Sequence, residues 1–573
     1  MKLEKYRIGT VIGVSGDRID VFLTPTTDDD DISQGVPDNM CINCPSEKGP
    51  IPILIGQPGT FIQVAIPSGI LLAIIVDIKM KESSFPSKLE REAEAEESYL
   101  LEFPRRLISA IPVGTIDSSN KFERGIDVLP TINSDVYAAT PDVINEIFES
   151  FAEGTFSIGK LSLLPEVNAK INLDAFLSRH AALIGQTGEG KSWTVASLLQ
   201  KITSFPQSTI VLFDLHGEYK TAFGNYCEFI NANELEFPYW LMNFEELVDL
   251  MVDRSEHTAP NQVAKFRELV QKEKEEHEEN QELGIPKITV DTPVYFNFQD
   301  IIDEFRRLDT EKVPSSQPGK TKQGIYFGTF TRLLMRLDSQ LNDKRYDLIF
   351  HPKTYNTSAS MEQLFRKLLG EEPSNPKKIT VIDISPIPFE VRNSVLSLIM
   401  RCLFDFAYWY RRVNEETYPI AIFCDEAHAY LNAEDTTSVA SRLSAEKIAK
   451  EGRKYGISLT VISQRPREVS ATILSQCNTF LCLRITNPDD QSYVKNLLPD
   501  SIRGITSMFS ALRRGECILM GDSVLMPTRI KIDEPNPKPS SEDTSFYKQW
   551  NKLHEEIDVE KVLDAWRKQE LES

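Results

Sequence analysis

Eight consecutive residues of this chain have the spacing of a phosphate-binding loop, G-x-x-x-x-G-K-[ST]. They are Gly185, Gln186, Thr187, Gly188, Glu189, Gly190, Lys191 and Ser192. Glycines let backbone N–H groups close around phosphate oxygens, and the N-terminus of a following helix favours an anion. The lysine reaches the β- and γ-phosphates, and the serine hydroxyl can ligate Mg²⁺. We expect the loop to hold a triphosphate, with Ser192 as a metal ligand and the adjoining Trp193 as a further contact.

The flanks of this loop predict the strand and the helix that such a loop requires. Residues 181–184 are continuously apolar, as in a short buried strand, and residues 193–202 have the pattern of an amphipathic helix. The bare motif occurs by chance in roughly one protein of this length in fifty. Its strand–loop–helix setting therefore disfavours the alternative, a glycine-rich turn that binds nothing.

A second apolar run, 420–424, ends in two acids, Asp425 and Glu426. A phosphate-loop enzyme needs a carboxylate at such a strand end for the Mg²⁺ shell, and a second one can position the attacking water. We assign Asp425 to the metal and Glu426 to the water. Acid pairs often follow apolar runs by chance, so the assignment depends on the presence of the first motif.

Further polar residues follow other predicted strands. Asp214, His216 and Glu218 come at the end of strand 209–214, and Gln464 follows strand 458–463. The carboxyl ends of strands in an open α/β sheet meet at the ligand crevice, so these side chains are candidates for contact with the γ-phosphate or its water. The alternatives are a helix cap with a turn for the first three, and a turn-initiating cluster for Gln464.

Two arginines are candidates for neutralising charge in the transition state. Arg453 lies in the run 449–455, and Arg484 ends the predicted strand 479–484. An arginine supplied by a neighbouring subunit can contribute about 10³–10⁵ in rate. Surface arginines that do no chemistry are the commoner alternative.

Composition limits the class of protein. The net charge of −22 argues against a surface that coats nucleic acid broadly, so any such contact must be confined to a few clustered basic residues. No apolar run approaches the ~20 residues of a membrane span. The cysteines are scattered, which favours a reducing cytoplasm over a disulfide framework.

The pattern of apolar and polar residues changes near residue 180. The earlier part carries short β-type runs with turn punctuation, which suggests a small barrel or sandwich. The later part alternates apolar strands with helices, as in a mostly parallel α/β sheet, and is interrupted by about 130 helix-forming residues. The predicted strands are 181–184, 209–214, 379–384, 419–424, 458–463, 479–484 and 516–520. A proline-rich stretch and a short charged helix near 555–570 close the chain.

These motifs, in this order, resemble the HerA family of ring-forming ATPases, relatives of the FtsK-type DNA translocases. The resemblance covers about 170–530. It rests on Gly185–Ser192, Asp214–Tyr219, Tyr239–Met242, Arg345–Asp347, Ile382–Ser385, Asp425–His428, Glu451–Gly456 and Ser463–Pro466. Position 189 departs from the family, which usually has a small residue there. An acid beside the phosphates predicts weaker nucleotide affinity or a cation partner.

The resemblance implies an α/β fold with a RecA-like P-loop ATPase core, a helical insertion, an N-terminal small β-barrel similar to the HAS-barrel, and a C-terminal tail helix. The expected units are a barrel at 1–165, a core in two parts at 166–244 and 376–530, an insertion at 245–375 and a tail at 531–573.

The resemblance also implies ATP and Mg²⁺ as ligands, a homohexameric ring and double-stranded DNA threaded through its pore. The barrel would dock a NurA-like nuclease, or a Sir2-like or other effector in antiphage defence. We therefore expect a cytoplasmic DNA translocase. Two alternatives remain: a platform that scaffolds an effector with little translocation, and a polypeptide-secreting or unfolding ATPase.

Overall fold

The structure is a computed structural model. It describes residues 6–24, 36, 40–44, 50–81, 105–117, 121–151, 154–231, 236–314, 319–541, 545–551 and 558–568. The strands are β1 Arg7–Val14, β2 Ile19–Leu23, β3 Cys41–Cys44, β4 Ile51–Leu54, β5 Phe61–Ile66, β6 Gly69–Lys81, β7 Arg105–Asp117, β8 Phe122–Arg124, β9 Asp135–Ala138, β10 Thr155–Leu161, β11 Leu164–Asn172, β12 Ala181–Ile184, β13 Ile210–Asp214, β14 Cys227–Ile230, β15 Lys312–Pro314, β16 Thr321–Gln323, β17 Ile379–Asp383, β18 Ile420–Cys424, β19 Ile457–Ser463, β20 Thr479–Cys482, β21 Glu516–Gly521 and β22 Thr528–Ile532.

The α-helices in the described residues are α1 Pro141–Glu149, α2 Leu173–Leu177, α3 Lys191–Ile202, α4 Phe244–Met251, α5 Ala259–Glu276, α6 Glu278–Glu282, α7 Phe298–Thr310, α8 Thr331–Leu341, α9 Asp347–Phe350, α10 Ser360–Leu369, α11 Phe389–Asn414, α12 Val439–Glu451, α13 Ala471–Ser475, α14 Pro488–Leu497, α15 Phe546–Trp550 and α16 Val559–Lys568. Short 3₁₀ turns occur between several of them.

The N-terminal strands form a closed barrel. The order is β2-β1-β9-β5-β6-β7, and pairing of β2 with β7 closes the ring, while β8 extends from β7. Alternating side chains of β2, Ile19, Val21 and Leu23, are buried in the interior. Closure removes exposed sheet edges, which explains why these short apolar strands are stable together. The predicted small barrel is thus confirmed.

An eleven-stranded sheet forms the centre of the molecule, in the order β11-β10-β22-β21-β20-β12-β19-β18-β13-β17-β14. From β20 to β14 every neighbouring pair is parallel. Each residue of β12, β13, β17, β18 and β19 is buried, as expected for parallel strands covered by helices on both faces. All seven predicted core strands are present, which confirms the α/β fold.

Four further strands complete this sheet. β14 lies at one edge, and β22, β10 and β11 lie towards the other, where β10 pairs antiparallel with β22. The expected barrel boundary at 165 therefore falls inside β11, a strand of the central sheet. Arg124 of β8 joins the barrel to the sheet, since its Nε donates to the Leu525 carbonyl at 2.9 Å and its Nη2 to the Gly521 carbonyl at 3.1 Å.

The chain between β14 and β17 forms the predicted helical insertion, α4 to α10 with the small hairpin β15–β16. Its core is aromatic: Phe305 lies 6.0 Å from Phe266 and 4.6 Å from Phe330, ring centre to ring centre. Lys274 is fully buried there, and its ammonium donates to the carbonyls of Val290 and Thr292 at 2.8 Å. These aromatic residues belong to the same buried cluster as the strands of the sheet.

The chain after β22 runs along α3 as an extended strap, residues 533–541. Asp533 pairs with Lys201 at 3.0 Å, and the Gln200 side chain donates to the Pro537 carbonyl at 2.8 Å. The Ser540 N–H donates to the Glu218 carbonyl at 2.7 Å. The strap therefore connects the helix after the phosphate loop with the loop after β13. The predicted tail helix is present as α16, Val559–Lys568.

Candidate nucleotide-binding site

The loop between β12 and α3 has the backbone shape that its glycines predict. Gly188 and Gly190 have φ of +79° and +98°, in the region that favours glycine. A Cβ atom on Gly185 would lie 2.8 Å from the Cβ of Leu483 on the adjoining segment. Helix α3 begins at Lys191, so its free N–H groups face the loop. Backbone donors and helix dipole converge there, as an anion site requires.

Lys191 and Glu426 meet at the centre of this site. The Lys191 ammonium lies 3.4 Å from Glu426 Oε1 and donates to the Gln186 carbonyl at 3.4 Å, and both charged side chains are buried. Glu426 has φ of +46°, an unusual left-handed conformation for a non-glycine residue. Strain of this kind concentrates at functional sites, because the surrounding structure must hold it in place.

Carboxylates crowd the strand ends around Asp425, which is itself buried. Burial raises the pKa of Asp425 well above its usual range, and the charges of Glu426, Asp214 and Glu218 raise it further, while Lys191 lowers it. A divalent cation would relieve this repulsion. Mg²⁺ is usually held by one or two carboxylates together with substrate phosphates. The described residues contain no group of three or more His, Cys, Asp or Glu side chains that could hold a metal ion.

Two buried oxygens at this site lack the partner that a bound cation or its water would supply. Neither Oε2 of Glu426 nor the Tyr219 hydroxyl has a hydrogen-bond partner among the described residues. His428 Nδ1 lies 3.3 Å from Glu426 Oε2, close enough for charge interaction but outside hydrogen-bond geometry. Buried polar atoms without partners are rare in folded proteins. Asp425 and Ser192 are the oxygen donors that would hold the metal, whose chemistry is to neutralise phosphate charge.

The Asp214 carboxylate accepts hydrogen bonds from the backbone of its own loop. Its Oδ1 accepts the N–H groups of His216 at 3.3 Å and Glu218 at 3.1 Å, and its Oδ2 accepts that of Tyr219 at 2.9 Å. Burial raises the pKa of Asp214 to about 6. This geometry favours the cap-and-turn alternative for Asp214. Glu218 is half-buried near Asp425, whereas the His216 side chain is exposed.

Gln464 contacts the phosphate loop directly. Its side-chain oxygen accepts a hydrogen bond from the Thr187 hydroxyl, so a change at the phosphates would reach the end of β19. The neighbouring Ser463 hydroxyl lies 3.3 Å from His428 Nδ1, which in turn faces Glu426. Burial lowers the pKa of His428, so the imidazole is neutral at neutral pH. Gln464 thus contacts the loop at Thr187, and Glu426 contacts it at Lys191.

Arg484 supplies the cation partner that an acid at position 189 needs. Its Nη1 lies 3.7 Å from Glu189 Oε1, and its Nε is buried without a hydrogen-bond partner in the described part of the chain. The Arg484 carbonyl also accepts the Gln186 N–H at 3.2 Å. The arginine therefore lies beside its own subunit's loop, partly neutralised by Glu189.

Trp193, the predicted contact that follows the phosphate loop, lies against the strap of residues 533–541. Lys538 lies 4.6 Å from the centre of its ring, and a cavity of about 590 Å³ opens between Gly190, Trp193, Arg514 and Lys548. This cavity lies at the helix side of the loop. Gln186, at the other side, exchanges hydrogen bonds with the Thr486 hydroxyl at 2.7 and 2.9 Å.

Arg453 is the candidate that the fold separates from the others. It precedes β19, whereas the phosphate loop and Gln464 lie at the carboxyl ends of β12 and β19. A seven-residue strand spans roughly 20 Å, so Arg453 cannot reach its own subunit's phosphates. Its side chain is exposed, and the nearby Arg411 guanidinium donates to the Lys454 carbonyl.

Residues 156–403 match the family model described as "Helicase HerA, central domain". This central part of the chain is therefore similar to the HerA helicase family. It is 27% identical to the DNA double-strand break repair helicase HerA of Sulfurisphaera tokodaii over 77% of this chain and 81% of that protein. It is 26% identical to the protein of the same name from Pyrococcus furiosus, over 73% of this chain and 77% of that one. These matches confirm the expected resemblance to the HerA family.

The chain also matches two solved structures at low identity. VirB4 of Thermoanaerobacter pseudethanolicus gives a TM-score of 0.46 with 16% identity, covering 70% of this chain and 99% of that one. The conjugative coupling protein TrwB gives 0.41 with 12% identity, covering 70% and 93%.

Two residues that sequence patterns did not single out for chemistry lie at this site. His428 faces Glu426, and Tyr219 is buried beside Ser192 and Asp425. The run Asp425–His428 held a signal for the histidine, because it sits two residues after the acid pair. Tyr219 ends the run Asp214–Tyr219, on which the resemblance also rests, but a tyrosine after a strand is most often part of the core, so no chemical role was assigned to it.

Proposed function

We propose that this protein is a HerA-type ATPase, a ring-forming motor that hydrolyses ATP and moves along double-stranded DNA. Lys191 would hold the β- and γ-phosphates, and Ser192 and Asp425 would hold Mg²⁺. Glu426 would orient the attacking water, and Gln464 would report the state of the γ-phosphate through Thr187. The arrangement of Lys191, Glu426 and Gln464 around one loop supports these roles.

The observation that carries the proposal is the separation of Arg453 from the site of its own subunit. Arg484 beside the loop is paired with Glu189, while Arg453 is exposed where the parallel strands begin. We call the face at the carboxyl ends of these strands the nucleotide edge and the face at their amino ends the opposite edge. An exposed arginine there can serve the nucleotide of a neighbouring copy. Head-to-tail contacts of this kind close into rings when the rotation permits, so we propose that the ring is a homohexamer.

The charges of the two edges are complementary. Carboxylates surround the nucleotide edge, whereas the opposite edge carries cations on an aromatic base. Arg411 lies 5.9 Å from the centre of the Tyr455 ring, Arg412 lies 5.3 Å from that of Tyr408, and Lys447 lies 4.3 Å from that of Phe404. Opposite charges favour contact between unlike edges and disfavour contact between like edges.

The names of the relatives support double-stranded DNA as the track, since both are called DNA double-strand break repair helicases. The net charge of −22 restricts phosphate contacts to a lining of basic side chains inside the ring. Lys378 is excluded from such a lining, because its ammonium donates to the carbonyls of Thr203 and Phe205 at 2.6 and 2.9 Å.

We also propose that the barrel docks a partner, as a NurA-like nuclease or a Sir2-like or other effector, in DNA end processing or antiphage defence in the cytoplasm. The barrel exposes apolar side chains, among them Ile12, Met80 and Ile132. In the described residues no helix has the length and apolar character needed to cross a membrane. Capture with the isolated neighbouring-gene product, compared with a variant carrying Ile132→Glu, tests this docking.

Displacement of a third DNA strand tests the motor. The full chain with Mg·ATP should displace a triplex-forming strand from a duplex, and duplex DNA should raise the hydrolysis rate. Glu426→Gln protein should do neither while still binding ATP. Hydrolysis that ignores DNA, together with activation of a bound effector, would instead establish the assembly platform. Stimulation by polypeptide would establish the secretion or unfolding alternative.

A further inference from the structure

The Tyr219 side chain is an unexplained polar group at the centre of the nucleotide site. It is fully buried, and its hydroxyl has no hydrogen-bond partner in the part of the chain that the structure describes. Leaving a buried hydroxyl unpaired is unfavourable, because the group loses its hydrogen bonds to water. A phenylalanine would fill the same space without that cost, so packing alone does not account for the phenol.

The position of Tyr219 is fixed by its own loop. Its N–H donates to Asp214 Oδ2 at 2.9 Å, and its ring stacks on Phe223 at 6.3 Å with an angle of 5° between the planes. These contacts hold the ring in place within the loop after β13. None of them involves the hydroxyl, which is therefore available for a ligand-dependent contact.

The hydroxyl is surrounded by the groups that we propose to bind the metal. Asp425, Asp214 and Glu218 are its charged neighbours, in that order of strength. The Ser192 hydroxyl also lies beside it, although the two groups do not meet the geometry of a hydrogen bond. A phenol hydroxyl is both a donor and an acceptor, so it can take part in two hydrogen bonds at once.

We propose that Tyr219 is a positioning residue that links the two metal-binding side chains by accepting a hydrogen bond from Ser192 and donating one to Asp425. A serine that binds a cation through its oxygen must place its proton on another acceptor, and the phenol oxygen offers one. Groups of this kind fix the orientation of metal ligands and commonly contribute 10- to 100-fold to metal affinity. The inference rests on the proposed function, because it assumes that Ser192 and Asp425 hold Mg²⁺.

The test is the Mg²⁺ dependence of nucleotide binding by full-length Tyr219→Phe protein. Binding of a fluorescent ATP analogue is titrated in EDTA and then at increasing Mg²⁺ concentration, and the melting temperature is recorded without nucleotide. We expect unchanged affinity in EDTA, an unchanged or slightly raised melting temperature, and at least a tenfold higher Mg²⁺ concentration for half-maximal enhancement of binding. Tyr239→Phe is the matched control, since this buried hydroxyl donates to the Phe296 carbonyl in the insertion.

Three results would separate the possibilities. Wild-type Mg²⁺ dependence in a folded Tyr219→Phe protein would overturn the positioning role. Equal loss of binding with and without Mg²⁺ would also overturn it, because that is the result of a structural defect. A wild-type protein that binds no ATP under any condition would overturn the proposed function instead.

Discussion

At the scale of single residues, the site is a balance between one buried lysine and several carboxylates. Lys191 faces Glu426 at 3.4 Å, while Asp425 beside it has a raised pKa because of burial and its acidic neighbours. A substitution at any of these side chains removes or adds a charge in this cluster. Substitutions that keep shape and change charge therefore discriminate best between binding and catalysis.

Replacing Glu426 with glutamine should separate the two. The amide keeps the shape of the side chain but cannot act as a base, so we expect retained ATP binding and a turnover rate lower by about 10²–10⁴. Rates of phosphate release and nucleotide affinity measure this. Glu416→Gln, at an exposed acid before β18, is the matched control. A wild-type rate in Glu426→Gln protein would move the water-positioning role to another group.

Glu189 should weaken nucleotide binding, and by less the better Arg484 neutralises its charge. Glu189→Ser should tighten ATP binding by about three- to tenfold, since a half-exposed ion pair contributes at most ~1 kcal/mol. Arg484→Ala should weaken binding, because Glu189 then stands alone beside the phosphates. Calorimetric titration of both variants and of the double variant tests this. If Glu189→Ser weakened binding, the acid would be part of the site and not a cost to it.

At the scale of elements, continuous apolar runs predicted the core strands correctly, because parallel strands are buried on both faces. β14 and β22 escaped this signal: Glu228 interrupts the first, and charged side chains alternate through the second. The pairing of β10 with β22 joins segments more than 350 residues apart, which no local pattern encodes. In the site, the residues of the motifs were predictable from the sequence. The burial of Tyr219 beside Ser192 and Asp425 was not, because it depends on how distant segments pack together.

His180 links the start of β12 to β19, and its environment should make the folded protein less stable at acidic pH. Its Nδ1 accepts the Leu459 N–H at 2.9 Å, and burial lowers the pKa of His180 to about 4. The unfolded chain takes up this proton near pH 6.5 and the folded protein does not, so stability is lost as pH falls from 6.5 towards 4. The loss between pH 7 and pH 5 should be about 2 kcal/mol.

Thermal unfolding of His180→Asn protein checks this. Asparagine tolerates the φ of +56° at this position, so the variant should fold. It should be less stable at pH 7.5 but lose less stability on going to pH 5 than the wild type. His351→Asn, at an exposed histidine, should behave like the wild type. An equal acid loss in both variants and in the wild type would exclude His180 as the acid-sensitive group.

At the scale of the whole molecule, the protomer has a nucleotide edge rich in carboxylates and an opposite edge rich in exposed cations and aromatic rings. Their separation by the length of the sheet means that Arg453 can act only across a contact between copies. Arg453→Ala protein should therefore bind ATP with unchanged affinity and hydrolyse it at least about 10³-fold more slowly. Arg412→Ala, at a neighbouring exposed cation of the same edge, should reduce the rate far less.

Mixing two inactive variants decides whether this arginine acts between subunits. A Glu426→Gln subunit lacks the base but still presents Arg453, and an Arg453→Ala subunit lacks the arginine but keeps an intact nucleotide edge. In mixed assemblies some contacts pair an intact nucleotide edge with an intact Arg453, so turnover should reappear and peak near equal amounts. Phosphate release measured across mixing ratios gives this curve. If every mixture stayed as slow as its components while mass measurement showed mixed rings, Arg453 would have no role in the neighbour's site, and the opposite edge would serve assembly alone.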